Sequence, residues 1–255
     1  MIVNYTEEGW QIITQRSHGL LAAQLAAQWK FKAAPKRWTE TLIAIAEHDD
    51  AENELDGENL LTSRGGPLNF DMKDFDLAHC EKLSSLSVTK SRYIALLTSM
   101  HMVFLYSKDE ATNKTAKQFL DHQRELQAKW SKELGLEKEE VHSMYSLLEW
   151  CDALSLLICK GDAQPEKRRI EISTGPDMKE YYLIQVDENA LAVEPWAFET
   201  TRFSVSFERR TIKQLQFVSS AEFRKAFLAA PVEEVQWVFT KQTTQKSAKQ
   251  KKVKT

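Results

Sequence analysis

Leu147-Leu-Glu-Trp-Cys-Asp152-Ala-Leu-Ser-Leu-Leu-Ile-Cys159 is a run of thirteen residues in which only Glu149, Asp152 and Ser155 are polar. A helix that is apolar nearly all round is buried, so this one is expected at the centre of the fold with other elements around it. The helical pattern extends over residues 138–160. Asp152 has Leu148 and Leu156 one turn away on either side, which directs its carboxylate into protein. An unpaired buried charge is costly, so a cation or several donors must meet it. Arg92 or Arg16 would make a salt bridge, and a metal ion would serve equally.

Working outward, helical spacing recurs at 90–106 and 114–134, with joints at 107–113 and at Gly135. Upstream, Ser17 reads as the N-cap of a helix over 19–29 that meets no breaker until Pro35, with His18 in its first turn. A second helix over 38–47 ends against His48-Asp49-Asp50. The stretch 51–76 holds Gly57, Gly65, Gly66 and Pro67 and reads as a long loop or lid. Short β-prone runs at 2–5 and 10–14 flank Thr6-Glu-Glu-Gly9, a hairpin turn. After Gly161 the pattern changes to β-branched and aromatic alternation at 169–173, 181–186, 191–194, 203–207 and 235–239. These runs predict an antiparallel sheet that the N-terminal hairpin can complete. The expected fold is therefore α+β: a hairpin over 1–15, a helical domain over 16–160, a β-rich region over 161–240 and a basic disordered tail over 241–255.

The chain has 255 residues, 42% hydrophobic and 28% charged, with 7 Trp and 12 Phe, which excludes a disordered or fibrous chain. Its longest apolar run, 93–106, is interrupted by Thr98, Ser99 and His101 and falls short of the roughly 20 residues that span a bilayer. The first residues lack a basic stretch and an apolar core of a secretion signal, so a cytoplasmic protein is expected. Cys80, Cys151 and Cys159 imply neither a disulfide framework nor a zinc knuckle. The last fifteen residues hold six lysines and no acid, which leaves the first 240 with a net charge of −9 against −3 for the whole. Such an acidic body argues against a nucleic-acid-coating surface. No internal repeat, glycine-rich phosphate loop, Gly-x-Ser-x-Gly elbow or Cys-x-x-Cys pair is present.

His101 interrupts Ile94-Ala-Leu-Leu-Thr-Ser-Met-His-Met-Val-Phe-Leu-Tyr106, so its ring too is expected inside. A lone buried imidazole is usually just hydrogen-bonded. Its significance here comes from company: His18, His48, Asp49 and Asp152 also fall at helix ends or within apolar faces. His79, His122 and His142 stand in polar or loop-like surroundings and are set aside.

The order His18, then His48-Asp49 about thirty residues on, then a distant Asp152 followed by Ala-Leu-Ser resembles the HD superfamily of metal-dependent phosphohydrolases over roughly residues 15–160. More closely, Gln15-Arg-Ser-His18, Ala46-Glu-His-Asp-Asp50, Gly66-Pro-Leu-Asn-Phe70 and Ser99-Met-His101 resemble an uncharacterised bacterial family known only as a domain of unknown function (DUF3891). The resemblance to HD proteins implies a helical bundle in which His18, His48, Asp49 and Asp152 bind one divalent ion. Imidazole and carboxylate donors suit Mn, Fe, Co, Ni or Zn and leave open positions for water and substrate, with room for a second ion to be considered. Asp50 could accept the water proton, His101 could bind the leaving oxygen, and Arg64 or Arg92 could clamp a phosphate.

The function expected is a metal-dependent phosphohydrolase acting through metal-activated water on a small phosphoester or nucleotide. Two other readings stand beside it. One is a non-catalytic HD-like ligand-binding or regulatory module, favoured by the absence of a Gly-Lys pair after the doublet, while the intact four-ligand set favours the hydrolase. The other is an HD-like iron oxygenase, since mixed His and carboxylate ligands also suit iron.

Overall fold

The computed structural model describes residues 1–32, 35–51 and 54–242. The chain opens with a hairpin, β1 (Ile2–Thr6) and β2 (Gly9–Ile13), and continues through six helices: α1 (Gln15–Ala27), α2 (Trp38–Ala46), α3 (Leu77–Lys90), α4 (Arg92–Tyr106), α5 (Lys114–Leu134) and α6 (Lys138–Lys160). Strands β3 (Arg169–Thr174), β4 (Glu180–Asp187), β5 (Ala190–Glu194) and β6 (Arg202–Ile212) follow, then α7 (Ser220–Ala229) and β7 (Val232–Thr240). Among the described residues this is an α+β fold with one seven-stranded sheet in the order β1-β2-β6-β7-β5-β4-β3. No helix among them is long and apolar enough to cross a membrane, and Cys80, Cys151 and Cys159 are buried free thiols.

α6 is the central element. Leu147, Leu148, Trp150, Cys151 and Leu154 have no exposed surface, because α1, α2 and α4 flank the helix on one side and β3 on the other. The helix–sheet joint is aromatic: Trp150 makes edge contacts with Trp29 of the α1 exit (ring centroids 4.9 Å apart) and with Phe198 before β6 (5.9 Å), and Phe198 meets Phe239 of β7 at 5.4 Å. Such edge-to-face pairs add to the apolar burial, and they fix α1 and α6 against a common sheet. Gly161 then ends α6 in the left-handed conformation, φ 72°.

The structure departs from the sequence expectations at four places. α1 starts earlier than predicted: Thr14, not Ser17, is the N-cap, its side chain accepting from the Ser17 backbone N–H. Two helices, α3 and α7, lack the strong periodicity that reveals the others. α3 buries only Cys80, Leu83 and Ser87, a stripe too narrow and polar to stand out. α7 buries just Phe223 and Phe227, although Ser219 capping the Glu222 N–H is a readable start signal. The sheet is not wholly antiparallel, since β5 and β7 pair in parallel while every other neighbour pair is antiparallel. β7 inserts between β5 and β6, which run in opposite directions, and a strand so placed must be parallel to one of them. The N-terminal hairpin joins the same sheet through β2 and β6, with Gln11 opposite Thr211. Of the expected tail, residues 243–255 lie outside the described residues.

One close approach positions the site. A Cβ on Gly19 would lie 2.3 Å from the Ala46 carbonyl oxygen, so only glycine lets α1 cross the end of α2 at this distance. Gly19→Ala must push the two helices apart, and overpacking of this kind costs about 1–3 kcal/mol. The expected result is a melting temperature lower by roughly 3–10 °C, read by calorimetry.

Candidate metal centre

Four separate segments bring five donors together. His18 lies one turn into α1 and is wholly buried. α2 stops at Ala46, and the turn that follows, with the Asp50 N–H on the Glu47 carbonyl at 3.1 Å, projects His48 and Asp49 inward from the helix end. His101 comes from the middle of α4 and Asp152 from the middle of α6. His18, His48 and Asp152 form one triplet whose donor atoms lie within 4.8 Å of one another, and His48, Asp49 and His101 form another.

The imidazoles are oriented by contacts behind them. His48 Nδ1 lies 2.7 Å from the Ile45 carbonyl, an acceptor only, so Nδ1 carries a proton and Nε2 is the nitrogen turned to the cluster, free to donate its lone pair once an ion replaces its proton. Ser155 donates to the Asp152 carbonyl at 2.9 Å and can therefore accept only from His18 Nδ1, 2.9 Å away. His18 Nε2 is thereby left as a lone-pair donor too. Such outer contacts fix tautomer and aim.

What those lone pairs face is the test of whether an ion fits. His48 Nε2 is 3.2 Å from Asp152 Oδ1 and 3.5 Å from Asp49 Oδ2; His18 Nε2 is 3.6 Å from Asp49 Oδ2; His101 Nε2 is 4.0 Å from Asp49 Oδ1 and 3.8 Å from Asp152 Oδ2. His18 Nε2, His48 Nε2, both ring nitrogens of His101 and Asp152 Oδ1 are buried without a hydrogen-bond partner. Buried polar atoms are nearly always satisfied, and four of these, His18 Nε2, His48 Nε2, His101 Nε2 and Asp152 Oδ1, gather around one point and call for a shared cation. Two donors about 2.1 Å from one ion stand about 3.0 Å apart when adjacent and about 4.2 Å apart when opposite, a range that contains every distance above. No lysine or arginine among the described residues takes this place: Arg16 pairs with Asp50 at 2.7 Å and Arg92 with Glu133 at 3.0 Å.

The electrostatics agree. Burial opposes charge on His48, but the Asp49 and Asp152 carboxylates outweigh it and lift its pKa to about 10. Burial, then the neighbouring charge on His48, lowers His101 to about 4. Although burial disfavours their charge, Asp49 and Asp152 stay below the usual carboxylate range because His48 faces both. The charge on His48 thus answers the two carboxylates in part, and a divalent ion in place of its proton would balance both.

A cleft of about 420 Å³ opens over Asp49, His101 and Asp152. Its walls come from the end of α4, the turn Ser107–Ala111, the 3-10 turn Phe70–Met72 and the start of α3. Gln15 lines it and donates to Asp49 Oδ2 at 3.0 Å, while Glu54 accepts from the Gln15 backbone at 2.6 Å and from the Met1 amino group.

Of the residues predicted from sequence, His18, His48, Asp49 and Asp152 converge, and His101 joins them as a fifth donor. Asp50 does not face the cleft; its pair with Arg16 ties α1 to the end of α2. Arg64 is exposed in a turn held against Phe217 by the Phe217 N–H on the Gly65 carbonyl at 2.9 Å, and it does not line the cleft. Arg92, nine residues before His101, lies about 13 Å back along α4. His79, set aside on the sequence, does line the cleft, because Asp76 caps α3 and turns its first residues toward the opening. Lys73 and Lys108 line it as well. No residue spacing betrays these three, whereas Ser155, three residues after Asp152, was legible as a helical neighbour. Ser155→Ala should weaken ion binding about 10- to 100-fold with Ser155→Thr restoring part of it, measured as ion dissociation constants.

A family model described as protein of unknown function (DUF3891) matches residues 1–214, which include β1–β6 and α1–α6. No curated protein and no solved structure matches the chain.

Proposed function

The chain belongs to that family of proteins of unknown function, DUF3891, and from its donor cluster we propose a metal-dependent hydrolase acting on a small phosphoric ester. The observation that carries this reading is the convergence of four buried groups, His18, His48, His101 and Asp152, and the half-buried Asp49, with unsatisfied atoms, beneath an open cleft. We read the helical part as HD-like, with His18, His48, Asp49 and Asp152 as the ligand set and His101 as a further donor. The order of these residues along α1, the end of α2, α4 and α6 supports it.

A divalent ion held there would lower the pKa of a bound water to about 7 and polarise a phosphoryl oxygen. The chain's own groups supply the rest. Ser155 and the Ile45 carbonyl hold two imidazoles in the ligating tautomer. Gln15 fixes Asp49, and since a carboxylate only accepts, the Gln15 amide must present its NH2 there. Lys73 and Lys108 replace the arginines as the lysines available to a phosphoryl group, and His79 at the rim can protonate a leaving oxygen.

A second reading is favoured by a cleft lining that holds no arginine among the described residues: a module that binds a ligand over the ion without turning it over. Protein loaded with Mn, Co or Ni and assayed against phosphomonoesters, cyclic nucleotides and nucleoside triphosphates separates the two. Turnover of one class, lost in His48→Ala, supports the hydrolase; an ion-loaded protein inert toward all of them supports the module.

A further inference from the structure

The cleft is lined by far more negative than positive charge. Besides Asp49 and Asp152, its carboxylates are Glu54, Asp71, Asp74, Asp76 and Asp109, against Lys73, Lys108 and the Met1 amino group. Glu54 is paired with Met1, Asp71 lies 3.7 Å from Lys160, and Asp76 caps α3. Asp74 and Asp109 have no ion-pair partner among the described residues. Even with a divalent ion on the floor, this lining repels a polyanion and draws in cations.

The walls have a second property. Phe70, Phe75 and Tyr106 line the same cleft, with the Phe75 and Tyr106 rings edge to face at 5.2 Å. The chain already seats one ammonium on this surface: Lys160 Nζ lies 4.9 Å from the Phe70 ring centroid beside the Asp71 carboxylate. An aromatic face with an adjacent carboxylate is the combination that recognises ammonium ions. Phe75 and Tyr106 line the cleft together with the carboxylates of Asp74 and Asp109, and no lysine or arginine among the described residues is paired with these two acids. On the floor, the buried His101 lines the same cleft with its ring nitrogens unpartnered, beside the donor cluster toward which the oxyanion end of a ligand would turn.

We propose that the ligand of this cleft is zwitterionic: an ester whose phosphoryl end faces the donor cluster and whose other end carries an ammonium group held by Phe75, Tyr106, Asp74 and Asp109. The phosphoryl half rests on the function proposed above; the ammonium half stands on the cleft walls alone. A cationic end gains from both the rings and the carboxylates, whereas a neutral end of equal shape gains from neither, which is how the cleft discriminates.

Phosphocholine and its carbon isostere 3,3-dimethylbutyl phosphate differ only in that charge. Titrated calorimetrically into the full chain loaded with Mn, phosphocholine should bind at least about tenfold more tightly, the size expected for a desolvated cation–π contact with a counter-charge. The Asp74→Asn/Asp109→Asn double variant should lose the preference while keeping the ion content of wild type. Equal or weaker binding of phosphocholine overturns the proposal, as does a preference that survives in the double variant. Choline against 3,3-dimethylbutan-1-ol on chelator-treated protein tests the ammonium half without any ion. Choline preference in a chain that takes up no metal means that the hydrolase reading fails and the ammonium site stands. Ion uptake and ester turnover with no choline preference mean the reverse.

Discussion

Purified without chelator, the wild-type chain is expected to carry about one transition ion, and His48→Ala less than about a tenth of that under the same conditions. His48 is the member of the cluster with the shortest contacts to both carboxylates, 3.2 Å to Asp152 and 3.5 Å to Asp49. Truncating one partner of a buried charged set costs roughly 3–5 kcal/mol, equivalent to about 10²- to 10⁴-fold in ion affinity. His122, exposed on α5 beside Glu125, is the matched control, and His122→Ala should keep the ion. Elemental analysis reads the stoichiometry, and circular dichroism verifies that the variants remain folded. Equal metal content in wild type and His48→Ala would sink the assignment.

Chelation should produce the second large effect. An ion at about 1,000 times its dissociation constant stabilises the folded chain by about 4 kcal/mol, so its removal should lower the melting temperature by roughly 8–16 °C in a protein of this size. The loss should also depend on pH in a defined direction. In the ion-free chain His48 is held up at about 10 from an ordinary 6.5, so its contribution is complete below about pH 6.5 and is lost as pH rises toward 10. His101, lowered to about 4, acts in the opposite sense: stability falls as pH drops from about 6.5 to 4, when a buried imidazole must be charged. Asp49 and Asp152, held below the usual carboxylate range, add to that acid-side loss. Ion binding takes the place of the His48 proton, so the alkaline decline should vanish in loaded protein. Calorimetric titration at pH 7 in two buffers of different ionisation enthalpy should register about one proton released per ion. Melting curves that respond identically to pH with and without chelator would show that no proton and ion compete at His48.

Much of the helical frame could be read from the residues. α2, α5 and α6 begin and end within one residue of where periodicity and their flanking breakers predict, because α5 and α6 bury long apolar faces and α2 carries the unbroken apolar run Leu42–Ala46. α3 was missed for the opposite reason, and with it the wall that carries His79. The strands were legible as alternation, but the parallel joint of β5 and β7 was not, since alternation records which face is buried and not which neighbour lies alongside.

The candidate centre divides in the same way. From its own pattern the chain determined that α6 is buried, that it carries a carboxylate needing a positive partner, and that His18, His48 and Asp49 fall at helix ends or within apolar faces. Only the tertiary structure decided what meets Asp152. Arg16 and Arg92 were eligible on the sequence, yet each is engaged by another carboxylate, while imidazoles from α1, the end of α2 and α4 surround it. His18 and the Ser155 hydroxyl that orients it lie 137 residues apart. Burial is written locally in the period of apolar residues, but the identity of a partner depends on how distant helices cross, which here rests on such contacts as Gly19 against the Ala46 carbonyl.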